Sequence, residues 1–166
     1  MINIDDYVLN GSQLQKPTAH VGIDPGQTGA AVLISETGID YFDWPGDPVQ
    51  FYHELKQWRD DFDIKMVLLE SVHSMPKQGV SSSFKFGLNF GMIQGVLAGM
   101  RIPYMLVTPQ KWQKGVVVPS DGKDSKERSL TVARRMFPQV DWLRRKKDHN
   151  RSDALLMAYK VKAGMI

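Results

Sequence analysis

The chain has 166 residues, 42% of them hydrophobic, and a formal net charge of +3, which suits one domain with a real core. It contains no cysteine, which excludes a disulfide framework and any thiolate metal site and fits a reducing compartment. No run nears the ~20 apolar residues of a membrane span, and no apolar secretory segment opens the chain, so a cytoplasmic protein without membrane contact is expected.

Charge is unevenly placed. Residues 1–100 hold 6 Lys/Arg and 12 Asp/Glu, a balance of −6, whereas residues 101–166 hold 15 and 6, a balance of +9, which together recover +3. Such asymmetry suggests a polyanion-binding face in the C-terminal part, against the plainer reading of a solvated basic surface.

Residues 1–18 lack periodicity and end near Pro17, which predicts a flexible arm ahead of a single domain over residues 19–166. "HVGIDPG", "TGAAVLISETG" and "GIDYFDWPG" read as three strands joined by Gly turns, an antiparallel meander. In "DPVQFYHELKQWRDDF" the spacing of Phe51, Leu55 and Trp58 predicts a helix, and "IKMVLLES" a buried strand. "VHSMPKQGVSSS" reads as a polar loop. "FKFGLNFGMIQGVLAGM" returns to helical spacing, with repeated Gly expected to let the helix approach the sheet closely. "IPYMLVTP" is a fifth strand, "SKERSLTVARRMFP" a capped helix, and a last helix starts around Asn150 or Arg151. The order β-β-β-α-β-α-β-α-α predicts an α/β fold, a mixed five-stranded sheet flanked by helices.

Three acids stand where chemistry is expected. Asp24 ends the first strand in "GIDPG" and reads equally as a turn residue. Glu70 ends the run "MVLLE", where a buried unpaired carboxylate is costly. Topology places the two strand ends side by side, and a divalent cation would relieve their repulsion. Asp153, in the first turn of the last helix, is favoured there by the helix dipole alone, but it also supplies a third charge. His149, four residues earlier, shares its face if the first turn extends back that far. Oxygen donors of this kind suit Mg2+, with Mn2+ as a substitute.

The segments "GIDPGQTGA", "MVLLES", "HSMPKQGVSSSFKFGLNFG", "VTPQKWQKGV", "GKDSKERS" and "DHNRSDALLMA" occur in the order of the RuvC-type Holliday-junction resolvases, and the chain most resembles the forms carried by bacteriophages. The resemblance spans roughly residues 18–164. It implies a ribonuclease H-like fold, a homodimer, a bacterial or phage-infected host cytoplasm, and magnesium-dependent paired nicks across a four-way DNA junction. Asp24, Glu70 and Asp153 match the family's metal-binding acids. Bacterial members place an acid three residues before the last Asp, where this chain has Asn150. Chloroplast relatives resemble it in carrying a His four residues before, as His149 stands to Asp153. The resemblance thus implies His149 as the fourth ligand, with Asn150 and Asp148 as competitors. Lys114 and Lys126 match basic positions near the scissile phosphate, where a fixed ammonium stabilises developing charge.

The expected DNA-binding surface combines Lys77, Phe84 and Lys85 around the loop after Glu70, a basic and aromatic mixture suited to backbone and opened bases, while Phe90 reads as core. His73 occupies the family's wedge position. Lys111, Arg134, Arg135 and the run Arg144, Arg145, Lys146 and Lys147 read as phosphate contacts. Rival readings are a ribonuclease H acting on RNA–DNA hybrids, a nucleotide-binding module suggested by "DPGQTG", and a non-catalytic junction-binding protein.

Overall fold

The computed structural model describes residues 15–71 and 79–166. It opens with three antiparallel strands, β1 (Thr18–Asp24), β2 (Ala30–Ser35) and β3 (Ile39–Asp43). The first turn is closed by the Gly29 amide donating to the Gly26 carbonyl at 2.9 Å. A Cβ on Gly29 would lie 2.1 Å from the Asp24 carbonyl oxygen, so glycine is required there. Helix α1 (Pro48–Asp61) follows. Asp47 caps it by accepting from the Val49 and Gln50 amides, and Pro48 sits in its first turn.

The α1 crossover brings β4 (Asp63–Glu70) parallel to β1, and helix α2 (Val80–Gly99) brings β5 (Tyr104–Val107) parallel to β4. The sheet order is β3-β2-β1-β4-β5. A short helix, α3 (Pro109–Gln113), leads through a 3-10 turn at Pro119–Asp121 to α4 (Ser125–Met136), and a second 3-10 turn at Lys146–Asp148 runs directly into α5 (His149–Lys162).

Alternation along the strands splits the core in two. Val21, Ile23, Leu33, Val67 and Leu69 face Phe51, Leu55 and Trp58 of α1 and Ile93 and Leu97 of α2. Val32, Ile34 and Leu68 face the opposite side, against Trp112, Leu130 of α4 and Leu155 and Leu156 of α5. This is the mixed five-stranded α/β architecture expected from the sequence.

Four local expectations are corrected. Helix α2 begins at Val80, so the serines of "VSSS" are helical; Ser suits a first helical turn as well as a loop, which hid the boundary. The α2 glycines do not face the sheet. A Cβ at Gly87, Gly91, Gly95 or Gly99 would meet nothing within 4 Å among the described residues, and Ile93, Leu97 and Met100 make the buried contact instead. Helix α3 was not anticipated; Thr108 caps it and Pro109 starts it. Finally, α5 starts one or two residues early, at His149. No helix among the described residues is long and apolar enough to cross a membrane.

Candidate active site

The β1–β4 register runs to Ile23 opposite Leu69, so the next residues along are Asp24 and Glu70, neighbours at the strand ends. Both point to the side that carries α5, because Gly22 and Leu68, two residues back on each strand, do so. Gly22 sets the depth of α5. A Cβ there would sit 2.0 Å from the Ala154 carbonyl oxygen and 2.6 Å from the Ala158 nitrogen, so the helix lies on bare strand backbone. The start of α5 is held laterally by Arg151. Its guanidinium forks onto Asp43 at the end of β3, with Nε to Oδ1 at 2.7 Å, and stacks 4.4 Å over the Tyr41 ring. The result places Asp153 over the strand ends.

The three carboxyls oppose one another. Glu70 is pushed up to about 7, first by burial and then by the Asp24 charge, against a hydrogen bond from Trp112. Asp24 is raised by burial, although the Gly26 amide donates to its Oδ1 at 3.0 Å and His149 and Lys126 lie near enough to favour its anion. Asp153 is raised well above the carboxylate range, chiefly by burial and further by Asp24 and Glu70, with the Ser129 hydroxyl and Lys126 acting the other way. Among the described residues its Oδ1 is buried without a hydrogen-bond partner of good geometry, as is the Ser129 hydroxyl. Buried polar atoms rarely go unpaired.

Among the described residues, no group of three or more His, Asp or Glu side chains is placed to hold a metal ion. The donor chemistry nevertheless suits a hard divalent cation: two strand-end carboxylates, a helix carboxylate with an orphaned buried oxygen, and mutual repulsion that a cation would cancel.

The three residues expected to compete for a fourth position, His149, Asn150 and Asp148, lie in different surroundings. The α5 helix does begin at His149, so His149 and Asp153 share a helix face; the ring's Nδ1 lies 3.2 Å from the Lys146 carbonyl oxygen. Asn150 is turned to the β1–β2 turn, donating to the Thr28 carbonyl and, at 2.8 Å, to the Thr28 hydroxyl. Asp148 is buried in an ion cluster. Despite the cost of burial, hydrogen bonds from the Arg145 guanidinium, at 2.9 and 3.1 Å, and from the Arg145 amide hold its carboxyl low.

Of the two lysines expected near the scissile phosphate, Lys126 acts on Asp24 and Asp153, whereas Lys114 acts on Lys160 and on none of the three acids. In the basic run, Arg145 is engaged with Asp148, Arg144 is exposed beside Asp141, and Lys146 and Lys147 are exposed. Arg135 pairs with Asp121, and Arg134 donates to the Leu143 carbonyl. Lys111 is exposed at the end of α3, and Phe84 and Lys85 are exposed on the first turns of α2, Phe84 to 70%. Phe90 packs against the core. His73 and Lys77 lie outside the described residues.

Two site residues escaped the sequence reading. Trp112, fully buried on α3, donates from Nε1 to Glu70 Oε1 at 2.8 Å. Lys160, buried on α5, donates to the Lys114 carbonyl at 2.6 Å and the Lys111 carbonyl at 3.1 Å, tying α3 to the helix that carries Asp153. The only advance signals were a tryptophan just after a Thr-Pro helix start and a lysine inside an apolar helical run.

Solved structures share this architecture. T. thermophilus RuvC in complex with Holliday junction substrate matches over 90% of this chain and 97% of that chain, with a TM-score of 0.56 and 14% identity. A second T. thermophilus RuvC structure matches over 89% and 96%, with a TM-score of 0.53 and 13% identity. The fold is RuvC-like, of the ribonuclease H type. No protein-family model and no curated protein sequence matches the chain. At such identity the likeness speaks to the fold, and the chemistry must come from the site.

Proposed function

We propose that the protein is a divalent-metal-dependent endodeoxyribonuclease that resolves four-way DNA junctions by paired nicks. The observation that carries this reading is the convergence of Asp24, Glu70 and Asp153 at one pole of a RuvC-like sheet, each acid raised by burial and two of them further by another's charge. Such a cluster is unfavourable unless a cation is part of the working protein, and it is bordered by Lys126 and by the exposed lysines of the 3-10 turn.

In this reading Asp24, Glu70 and Asp153 hold Mg2+, or Mn2+ in its place, with His149 as the fourth donor. A bound divalent ion supplies Lewis acidity at the phosphate and eases deprotonation of the attacking water. Trp112 occupies one lone pair of Glu70 Oε1 and so fixes the carboxylate plane. Lys126 offers its ammonium to charge building on the phosphate. Phe84, Lys85, Lys111 and Lys114 lie outside the acid cluster and serve as DNA contacts.

Most of the expected arm, residues 1–14, lies outside the described residues, and Thr18 already belongs to β1; residues 19–166 are assigned as one nuclease domain. Paired nicks require two such sites, supplied by a homodimer. The exposed glycine face of α2, beside Phe84 and Leu88, is where a second copy would approach most closely.

Incubation with a labelled synthetic four-way junction and magnesium tests the reading. Symmetric paired nicks support it. Cleavage of an RNA–DNA hybrid in preference to the junction would replace it with a ribonuclease H activity, and tight binding without nicks would leave a junction-binding protein.

A further inference from the structure

Between α4 and the 3-10 turn at residues 146–148 lies an open cleft of about 500 Å³. Lys123, Lys126 and Arg134 line one wall and Lys146 and Lys147 the other. The α4 wall is regular: residues 126, 127, 130, 131 and 134 recur at the spacing of one helical face, so the cations follow the helix axis for about 12 Å. Two acidic side chains, Asp124 and Glu127, share the cleft, and its five cations outnumber them. Asp124 accepts from the Glu127 amide at 2.9 Å, and Glu127 accepts from the Lys123 amide at 3.1 Å, so both carboxylates serve the start of α4. None of the five cations makes an ion pair among the described residues.

One end of the cleft meets the acid cluster. His149 and Lys126 line it, and both act electrostatically on Asp24. Its floor is apolar at Leu130, which belongs to the core. Opposed rows of cations over an apolar floor suit a polyanion that carries flat apolar groups, and a cleft walled on both sides admits one strand more readily than a duplex.

We propose that the α4 cleft is a track for a single phosphodiester strand, which it holds on one side of the bond presented to Asp24, Glu70 and Asp153. The placement of that bond rests on the nuclease reading. Strand binding by the cleft does not.

The chain has no cysteine, so single-cysteine variants report cleanly. Thr131→Cys places a thiol on the exposed face of α4 in the cleft, and Tyr52→Cys places one on α1, across the sheet. Maleimide alkylation is followed in EDTA at low salt, with an oligo(dT) 20-mer or a blunt duplex at equal phosphate concentration. The 20-mer should slow alkylation at Thr131→Cys by roughly tenfold and leave Tyr52→Cys unchanged, as a groove tracking the backbone requires. Adding Lys123→Glu and Arg134→Glu should abolish that protection.

The proposal is overturned if the 20-mer does not bind by fluorescence anisotropy, if it binds and Thr131→Cys alkylates at the free rate, or if the duplex protects equally. Protection without junction nicking would keep the track and reject the nuclease; nicking without protection would do the reverse.

Discussion

Trp112 donates its indole N–H to Glu70 Oε1 across 2.8 Å of buried space, joining the short helix after β5 to the carboxylate at the end of β4. The bond counteracts burial and the Asp24 charge, both of which disfavour the Glu70 anion. Lys160 completes the arrangement by anchoring the α3 carbonyls to α5.

Trp112→Phe keeps an aromatic ring in the core but removes the donor. Partners one step removed from a metal ligand typically carry 10–100-fold in metal affinity or activity. Mn2+ affinity by calorimetry should therefore fall roughly 10-fold or more, with the circular dichroism spectrum retained. Unchanged affinity would make Trp112 a packing residue only.

The raised carboxyls make stability depend on pH in a definite direction. Glu70 binds its proton more tightly in the folded protein, at about 7, than at its ordinary value of 4.5. The folded state then holds more protons across that window, so metal-free stability is greatest below it and is lost as pH rises through about 7. Glu70 alone contributes up to about 3 kcal/mol, and Asp24 and Asp153 act in the same direction. In EDTA, Tm should fall between pH 5 and pH 8, Glu70→Gln should flatten the fall, and Mg2+ should reverse it at pH 8. A Tm that rises over this range without metal would contradict the electrostatics described.

Gly22→Ala tests how α5 is seated. The new methyl would collide with helix backbone at Ala154 and Ala158, which cannot yield as a side-chain tip could. Overpacking of this kind costs about 1–3 kcal/mol, or roughly 2–4 °C in Tm per kcal/mol at this size. Displacement of Asp153 should also lower cleavage more than junction binding. A variant with wild-type Tm and activity would mean that the contact is slack.

His149 and Asn150 should separate in metal dependence. His149→Ala should raise the magnesium concentration needed for half-maximal cleavage, and His149→Asp, a hard oxygen donor, should recover part of it. Asn150→Ala should lower stability by about 0.5–1.5 kcal/mol, through the lost bonds to Thr28, and leave the magnesium requirement alone. The opposite pattern in a magnesium titration would move the fourth ligand to Asn150.

Strand order and the three acids were legible because each rests on a local signal: apolar alternation, Gly turns, and carboxylates at the ends of apolar runs. Phe51, Leu55 and Trp58 likewise announced their helix face. The α2 glycines misled because spacing shows which residues share a face but not what that face meets. Trp112 and Lys160 were hidden for a related reason: each acts on residues at least 46 positions away or, for Trp112, 42, and no local pattern records such a partner. Asp148 and Asn150, which the resemblance offered as competing ligands, are held by Arg145 and Thr28.

The central claim is that Asp24, Glu70 and Asp153 together hold the ion that cleaves the phosphodiester, while the basic surface holds the DNA. The most direct measurement compares wild type with Asp24→Asn, Glu70→Gln and Asp153→Asn on a labelled four-way junction, scoring nicks in Mg2+ and binding in its absence. The account predicts that each variant loses cleavage by at least about 100-fold, on the scale of a lost catalytic group, while binding the junction as tightly as wild type or more so. Near wild-type cleavage by any of the three would remove that acid from the site and contradict the account.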